Sequence, residues 1–179
     1  ATIGQAGAVG SVNIMTRGDA TVSFSSGKID EVLIVNRTLT ESEILNLYRG
    51  LPMDHEDYYQ NQIETQSLLN SPDLMLYYPM DELSGGTIYD NSSYMRNGTL
   101  MNTVDNDTVH LGENPIGSGG SLDFDGSNDY IDTDYIFSGS QISFSTWVKL
   151  KDTPSTDFVF GTLNNTAPYY GYGFYFDSN

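Results

Sequence analysis

The sequence predicts an all-β domain, an antiparallel β-sandwich that carries one short helix. Short runs with a two-residue hydrophobic period recur along the chain, separated by Gly, Asn, Asp and Ser. Such spacing is typical of strands in a sandwich or barrel, because successive side chains of a strand point to opposite faces. Only one segment, 41–49, has helical spacing with recognisable ends. The 8 Phe, 13 Tyr and 1 Trp are sufficient for a packed core.

Four segments show the strand pattern most clearly. Residues 29–35 are apolar apart from two consecutive acidic residues, and residues 74–78 are apolar throughout. Alternation marks residues 142–150 and 172–176, where apolar side chains occupy every second position. We therefore expect these segments to contribute strands to the two sheets.

The helix is predicted from its ends. Thr40 and Glu43 have the spacing of a capping box, Leu39 and Ile44 that of a hydrophobic staple, and Gly50 follows as a stop signal. A helix of two turns is marginal alone, so we expect it to pack against a sheet.

The chain divides at a polar stretch. Residues 52–71 read as a linker between a segment 1–51 and a segment 72–179. Two or three strands and one helix bury too little surface to fold alone. We therefore expect the strands of 1–51 to join another sheet.

Charge excludes some functions and favours others. Seven Lys and Arg face 24 Asp and Glu, a formal net charge of −17. This field repels nucleic acid and attracts divalent cations. The sequence has no cysteine and no apolar run long enough to predict a membrane span.

Two groups of motifs stand out: residues 27–32, 36–40 and 43–44 in segment 1–51, and residues 76–82, 85–87, 89–92, 97–100, 121–126, 129–131 and 142–149 in segment 72–179. Both groups resemble the laminin-G-like (LamG, concanavalin-A-like) domain of microbial extracellular proteins. The first group resembles the closing part of that domain, with residues 1–4 similar to the strand just before it, and the second group resembles its opening part. The resemblance implies a jelly-roll sandwich. It also puts the closing part before the opening part.

Two explanations fit this inverted order. The chain could straddle the boundary between two tandem repeats, which we favour, or it could form one permuted sandwich. In the first case strands 1–51 could pair within the chain or with a neighbouring unit. We expect exchange between successive units, and head-to-tail contacts of that kind can build a filament.

Acidic loop residues suggest a calcium site. Asp81, Glu82, Asp90 and Asn97 occupy two adjacent predicted loops and offer the oxygen ligands that calcium prefers. The resemblance also implies calcium near these acids. The alternative is that Asp90 and Asn97 cap turns through bonds to the backbone.

Aromatic residues near the end suggest a carbohydrate-binding face. Tyr169, Tyr170 and Tyr175 are the candidates, with core or interface packing as the alternative. Catalytic residues are not predicted: the sequence lacks the E-x-D-x-x-E strand of related glucanases and any G-x-S-x-G elbow.

Five glycosylation sequons suggest an extracellular or cell-surface protein. They begin at Asn36, Asn91, Asn97, Asn106 and Asn164. The sequence therefore predicts a non-catalytic structural or adhesive repeat whose partners are neighbouring repeats or copies of itself. The alternative is a calcium-dependent carbohydrate-binding module attached to a glycan-degrading enzyme.

Overall fold

The computed structural model describes residues 11–17, 23–49, 66–82, 85–102, 120–151, 156–162 and 171–177. The predicted strand at residues 1–4 lies outside these ranges. Ten strands and one α-helix are described, in this order: β1 Asn13–Ile14, β2 Ser26–Val35, α1 Glu41–Arg49, β3 Leu74–Tyr78, β4 Thr87–Ile88, β5 Gly98–Met101, β6 Leu122–Asp125, β7 Tyr130–Asp132, β8 Ser143–Leu150, β9 Thr156–Gly161 and β10 Gly173–Asp177. The prediction of an all-β chain with a short helix is confirmed.

The strands form two antiparallel sheets. The first has the order β10-β9-β1-β7-β5-β4, and the second contains β3, β2, β6 and β8. The second sheet is only three strands wide, because β6 and β3 share one edge of β2. β6 pairs with its Ser26–Ile29 half and β3 with its Val32–Val35 half, while β8 pairs along the opposite edge.

The two described strands of segment 1–51, β1 and β2, pair within their own chain, contrary to our expectation of exchange between units. β2 is the central strand of the second sheet, and β1 lies between β7 and β9 in the first. Both strands are almost completely buried; Ile14, Ile29 and Ile34 are 0% exposed. A central strand is paired along both edges and packs one face on the core. Pairing within the same chain therefore satisfies the backbone hydrogen-bonding groups of β2 and β1.

One core fills the space between the sheets. Side chains from β1, β5, β7 and β9 meet side chains from β2, β3 and β6 there. Gly98 of β5 sits where the packing is tightest: a Cβ at this position would lie 2.7 Å from Cγ2 of Ile131 and 3.0 Å from Oη of Tyr78. The glycine of the Asn97-Gly98-Thr99 motif therefore allows two sheets to approach closely.

A second, smaller core covers the outer face of β2 and β3. Leu33, Val35 and Leu74 are buried there beneath Leu68, and Leu39 and Leu47 pack against them. Leu68 belongs to a helical turn at residues 66–69, so the end of the predicted linker is packed on the sheet.

The helix begins as predicted. Thr40 N donates to Glu43 Oε2 at 2.8 Å, and Glu43 N donates to Thr40 Oγ1 at 3.3 Å, which completes the capping box. Arg37 donates to both carboxylate oxygens of Glu43, at 2.6 and 2.8 Å. These contacts lower the pKa of Glu43 to about 2. Within the described ranges no helix has the length and apolarity that a membrane crossing requires.

Candidate functional site

Asp90 organises the β4–β5 loop, where the sequence predicted a calcium site. Its side chain is 5% exposed and accepts four hydrogen bonds. Oδ1 accepts from the amides of Tyr77 and Ser92, at 2.8 and 2.9 Å, and Oδ2 accepts from Ser92 Oγ and the Arg96 amide, both at 2.7 Å. Asn97 Oδ1 in turn accepts from the Asp90 amide at 3.0 Å. Asp90 and Asn97 therefore act together as a loop cap, which was the alternative interpretation.

The other two predicted calcium ligands, Asp81 and Glu82, take no part in the hydrogen bonds of this cap. Glu82 Oε1 accepts from the Tyr89 amide at 2.7 Å, and Asp81 Oδ1 accepts from the Gly120 amide at 2.8 Å. The second oxygen of Glu82 is buried and has no hydrogen-bond partner. No group of three or more acidic or histidine side chains in the described ranges is arranged to hold a metal ion. The calcium site stays a prediction, with Asp81 and Glu82 as the members that keep an oxygen available.

Two carboxylates, those of Asp30 and Glu31, lie at the centre of β2. The pairing of β2 with β8 shifts register between Asp30 and Leu33, and Glu31 there has a positive φ of 52°. This bulge lies between the stretches of β2 that pair with β6 and β3. Asp30 is 3% exposed, and its Oδ1 accepts from the Glu31 amide at 2.9 Å.

Burial dominates the electrostatics of this bulge. Desolvation, with the negative charges of Glu31 and Asp81 nearby, raises the pKa of Asp30 from 3.8 to about 7. Desolvation also raises the pKa of Glu31, although its Oε2 accepts a hydrogen bond of 2.6 Å from the Tyr77 hydroxyl. The sequence predicted no role for Asp30 and Glu31. The available signal was their position inside an otherwise apolar strand.

A groove of about 410 Å³ lies between α1 and the outer face of β8. Tyr48 of the helix stacks on Trp147 of the strand, with ring centroids 5.6 Å apart and an interplanar angle of 25°. Tyr48 is 68% exposed and Ile44 is 56% exposed. The hydroxyl-bearing residues Thr38 and Ser145 also line the groove. The groove was not predicted from the sequence, because its two walls are about a hundred residues apart.

A second depression, which we call the β8–β10 notch, has a volume of about 550 Å³. It is lined by inner-face side chains of β8 and by β10, with Phe160 of β9 between them. Phe174 and Tyr175 of β10 are 48% and 50% exposed. Tyr175, predicted to bind carbohydrate, stacks on Phe158 at 4.9 Å. Tyr169 and Tyr170 lie outside the described residues.

The glycosylation prediction has partial structural context. Asn36, Asn91 and Asn97, the acceptor residues of three sequons, are exposed. Asn106 and Asn164 lie outside the described residues. Use of the sequons stays a prediction.

Comparison with known proteins gave no match among family models, curated proteins or solved structures. The laminin-G-like identity therefore stays a prediction from sequence motifs.

Proposed function

We propose that this chain is a non-catalytic structural or adhesive module of an extracellular or cell-surface protein, with a laminin-G-like jelly roll as its fold. Its partners are neighbouring modules or copies of itself. The observation that supports this function best is the β8–β10 notch, where apolar side chains continuous with the core are open to solvent. Contiguous exposed apolar surface on a folded domain typically marks an interaction site.

The role of Asp90 as a loop cap supports the same conclusion. The carboxylate oxygens of Asp90 are all engaged in hydrogen bonds that hold a loop in place. A general acid or base needs an oxygen that can reach a substrate. Exposed Asn36, Asn91 and Asn97 support an extracellular location, since glycosylation requires accessible sequons.

A direct binding comparison tests this proposal. The labelled chain is passed over immobilised copies of itself and over a glycan array, in 1 mM calcium and in EDTA. We expect binding to the immobilised chain in both buffers and no glycan signal. Glycan binding that EDTA abolishes, without binding to the chain itself, would contradict the structural role.

A calcium-dependent carbohydrate-binding module is the second candidate, and the groove between α1 and β8 favours it. Exposed aromatic rings beside hydroxyl groups can stack on a sugar ring and bond its hydroxyls. The test is Tyr48→Ala, with Tyr89→Ala as control because Tyr89 is also largely exposed, at 57%. Only the Tyr48 change should weaken glycan binding.

Calcium dependence has its own measurement. If Asp81 and Glu82 hold the ion, calcium should raise the melting temperature by mass action on the folded state. The double change Asp81→Asn with Glu82→Gln should abolish that rise. Asp90 is left unchanged, because its loss would lower stability with or without calcium.

A further inference from the structure

The two sheets end unequally on the β8–β10 side. Phe144 of β8 stacks on Phe160 of β9 with ring centroids 4.6 Å apart, so the last strand of the second sheet covers β9. The first sheet continues one strand further, to β10. In the described part of the chain, β8 pairs only with β2 and β10 only with β9. Among the described residues the notch is therefore a vacant strand position, beside β8 and above the core face of β10.

We propose that a second copy of this chain fills the notch with its own β10. Each copy presents one vacant strand position and one projecting strand. A twofold axis parallel to the strands places β10 of each copy beside β8 of the other, so both positions are filled in one reciprocal contact. The inference rests on the proposed function only in naming a copy of the chain as partner.

The faces of the two strands match in this arrangement. Phe144 and Val148 of β8 pack against the core, and Phe174 and Phe176 of β10 line the same notch. Because side chains alternate between faces, Lys149 of β8 and Asp177 of β10 both point away from the core. Apolar side chains therefore meet between the sheets, and charged side chains meet on the outer face.

Lys149 and Asp177 also lie at the same height along their strands. β8 ends beside the start of β2, where Leu150 pairs with Gly27, and β10 ends beside the start of β9, where Asp177 pairs with Thr156. Ser25, which precedes β2, donates to the carbonyl of Phe158 in β9 at 2.7 Å, so these two ends lie at the same end of the sandwich. Rotation about an axis parallel to the strands keeps them together. Lys149 of one copy thus lies near Asp177 of the other, and both residues are exposed.

Light scattering of the full 179-residue chain during size-exclusion chromatography tests the proposal, in 0.15 M salt to screen the net charge of −17 on each copy. We expect a species of twice the 19.7 kDa mass of the chain. Phe174→Asp should weaken association at least about tenfold, because it places a charge in the apolar contact. Met95→Asp is the control; Met95 is 76% exposed in the β4–β5 loop, at the other end of the first sheet.

A charge exchange distinguishes this contact from other self-association. Lys149→Glu and Asp177→Lys should each weaken the dimer, and the two changes combined should restore it. A monomer at about 100 µM, or a dimer indifferent to Phe174→Asp, would overturn the proposal. The proposal would also be overturned if the chain stayed monomeric and an extended segment other than β10 of a second copy occupied the notch. A glycan-binding result would contradict the proposed function and leave the dimer measurement standing.

Discussion

The two lateral sides of the sandwich differ in how they end. On the side of β3, β4 and β5, Tyr78 and Ile88 are at most 1% exposed and the loop is held by the four hydrogen bonds of Asp90. On the side of β8 and β10, no residue of β8 is fully buried and Phe174 is half exposed. The first side is closed by polar groups that bond the backbone. The second leaves apolar side chains partly open to solvent.

This difference separates stability from interaction within one fold. Groups that close the first side should affect unfolding when they are changed. Substitutions on the open side should lower the free energy of unfolding of the isolated chain less, because a half-exposed ring contributes only part of its burial energy. Three changes, at two residues of the closed side and one residue of the shared strand β2, sharpen this comparison and follow from the largest expected effect to the smallest.

The largest effect is expected for Asp90→Ala. It removes a charged acceptor and leaves the amides of Tyr77, Ser92 and Arg96 without their partner in a buried loop. The free energy of unfolding should fall by about 3 kcal/mol, measured by urea denaturation. Asp125→Ala is the control, because exposed Asp125 accepts a single turn bond from the Ser127 amide. Equal losses in the two variants would refute the special role of Asp90.

The second prediction concerns Asp30 on β2. Its pKa is raised from 3.8 to about 7 by burial, so the folded state binds more protons than the unfolded state within that window. Stability should therefore decrease as pH rises from about 4 to about 7, by on the order of 2 kcal/mol. Asp30→Asn cannot ionise and should flatten this slope. Parallel stability–pH curves for the variant and the parent chain would show that Asp30 is not the group responsible.

At lower pH the opposite slope should appear. The pKa of Glu43 is lowered to about 2 by its contacts with Arg37, so the stability from this pair is present above about pH 4.5. It is lost as pH falls towards 2. The two slopes together place maximum stability near pH 4 to 5.

The smallest of the three effects is expected for Gly98→Ala. A methyl group there would overlap Ile131 and Tyr78 and force the sheets apart, at a cost of about 1.5 kcal/mol. Gly86→Ala is a matched control, since its Cβ would meet no atom closer than 4.0 Å. Thermal melting of the two variants side by side is sufficient. A loss confined to Gly86→Ala would contradict the packing argument.

Local chemistry was sufficient to predict the elements. The capping box of Thr40 and Glu43, the strands at 29–35 and 142–150, and the all-β class follow from spacing and periodicity, which act within a few residues of each other. The role of Asp90 as a cap was one of two alternatives that the sequence allowed. The sequence alone does not decide between them, because the four groups that donate to Asp90 belong to three separate residues, Tyr77, Ser92 and Arg96, and meet only when the loop closes.

Pairing between distant segments was decided by the tertiary structure alone. The sequence shows that β2 must join a sheet, but partners in its own chain and in another offer the same backbone hydrogen bonds. The structure places β2 between β8 and the pair β3 and β6, because there one strand buries two edges and a core face at once. The Tyr48–Trp147 groove, the buried acids at the bulge and the β8–β10 notch all depend on that placement. Each of them is formed by residues that are far apart in the sequence, and the hydrophobic periodicity of a short segment does not predict contacts between distant segments.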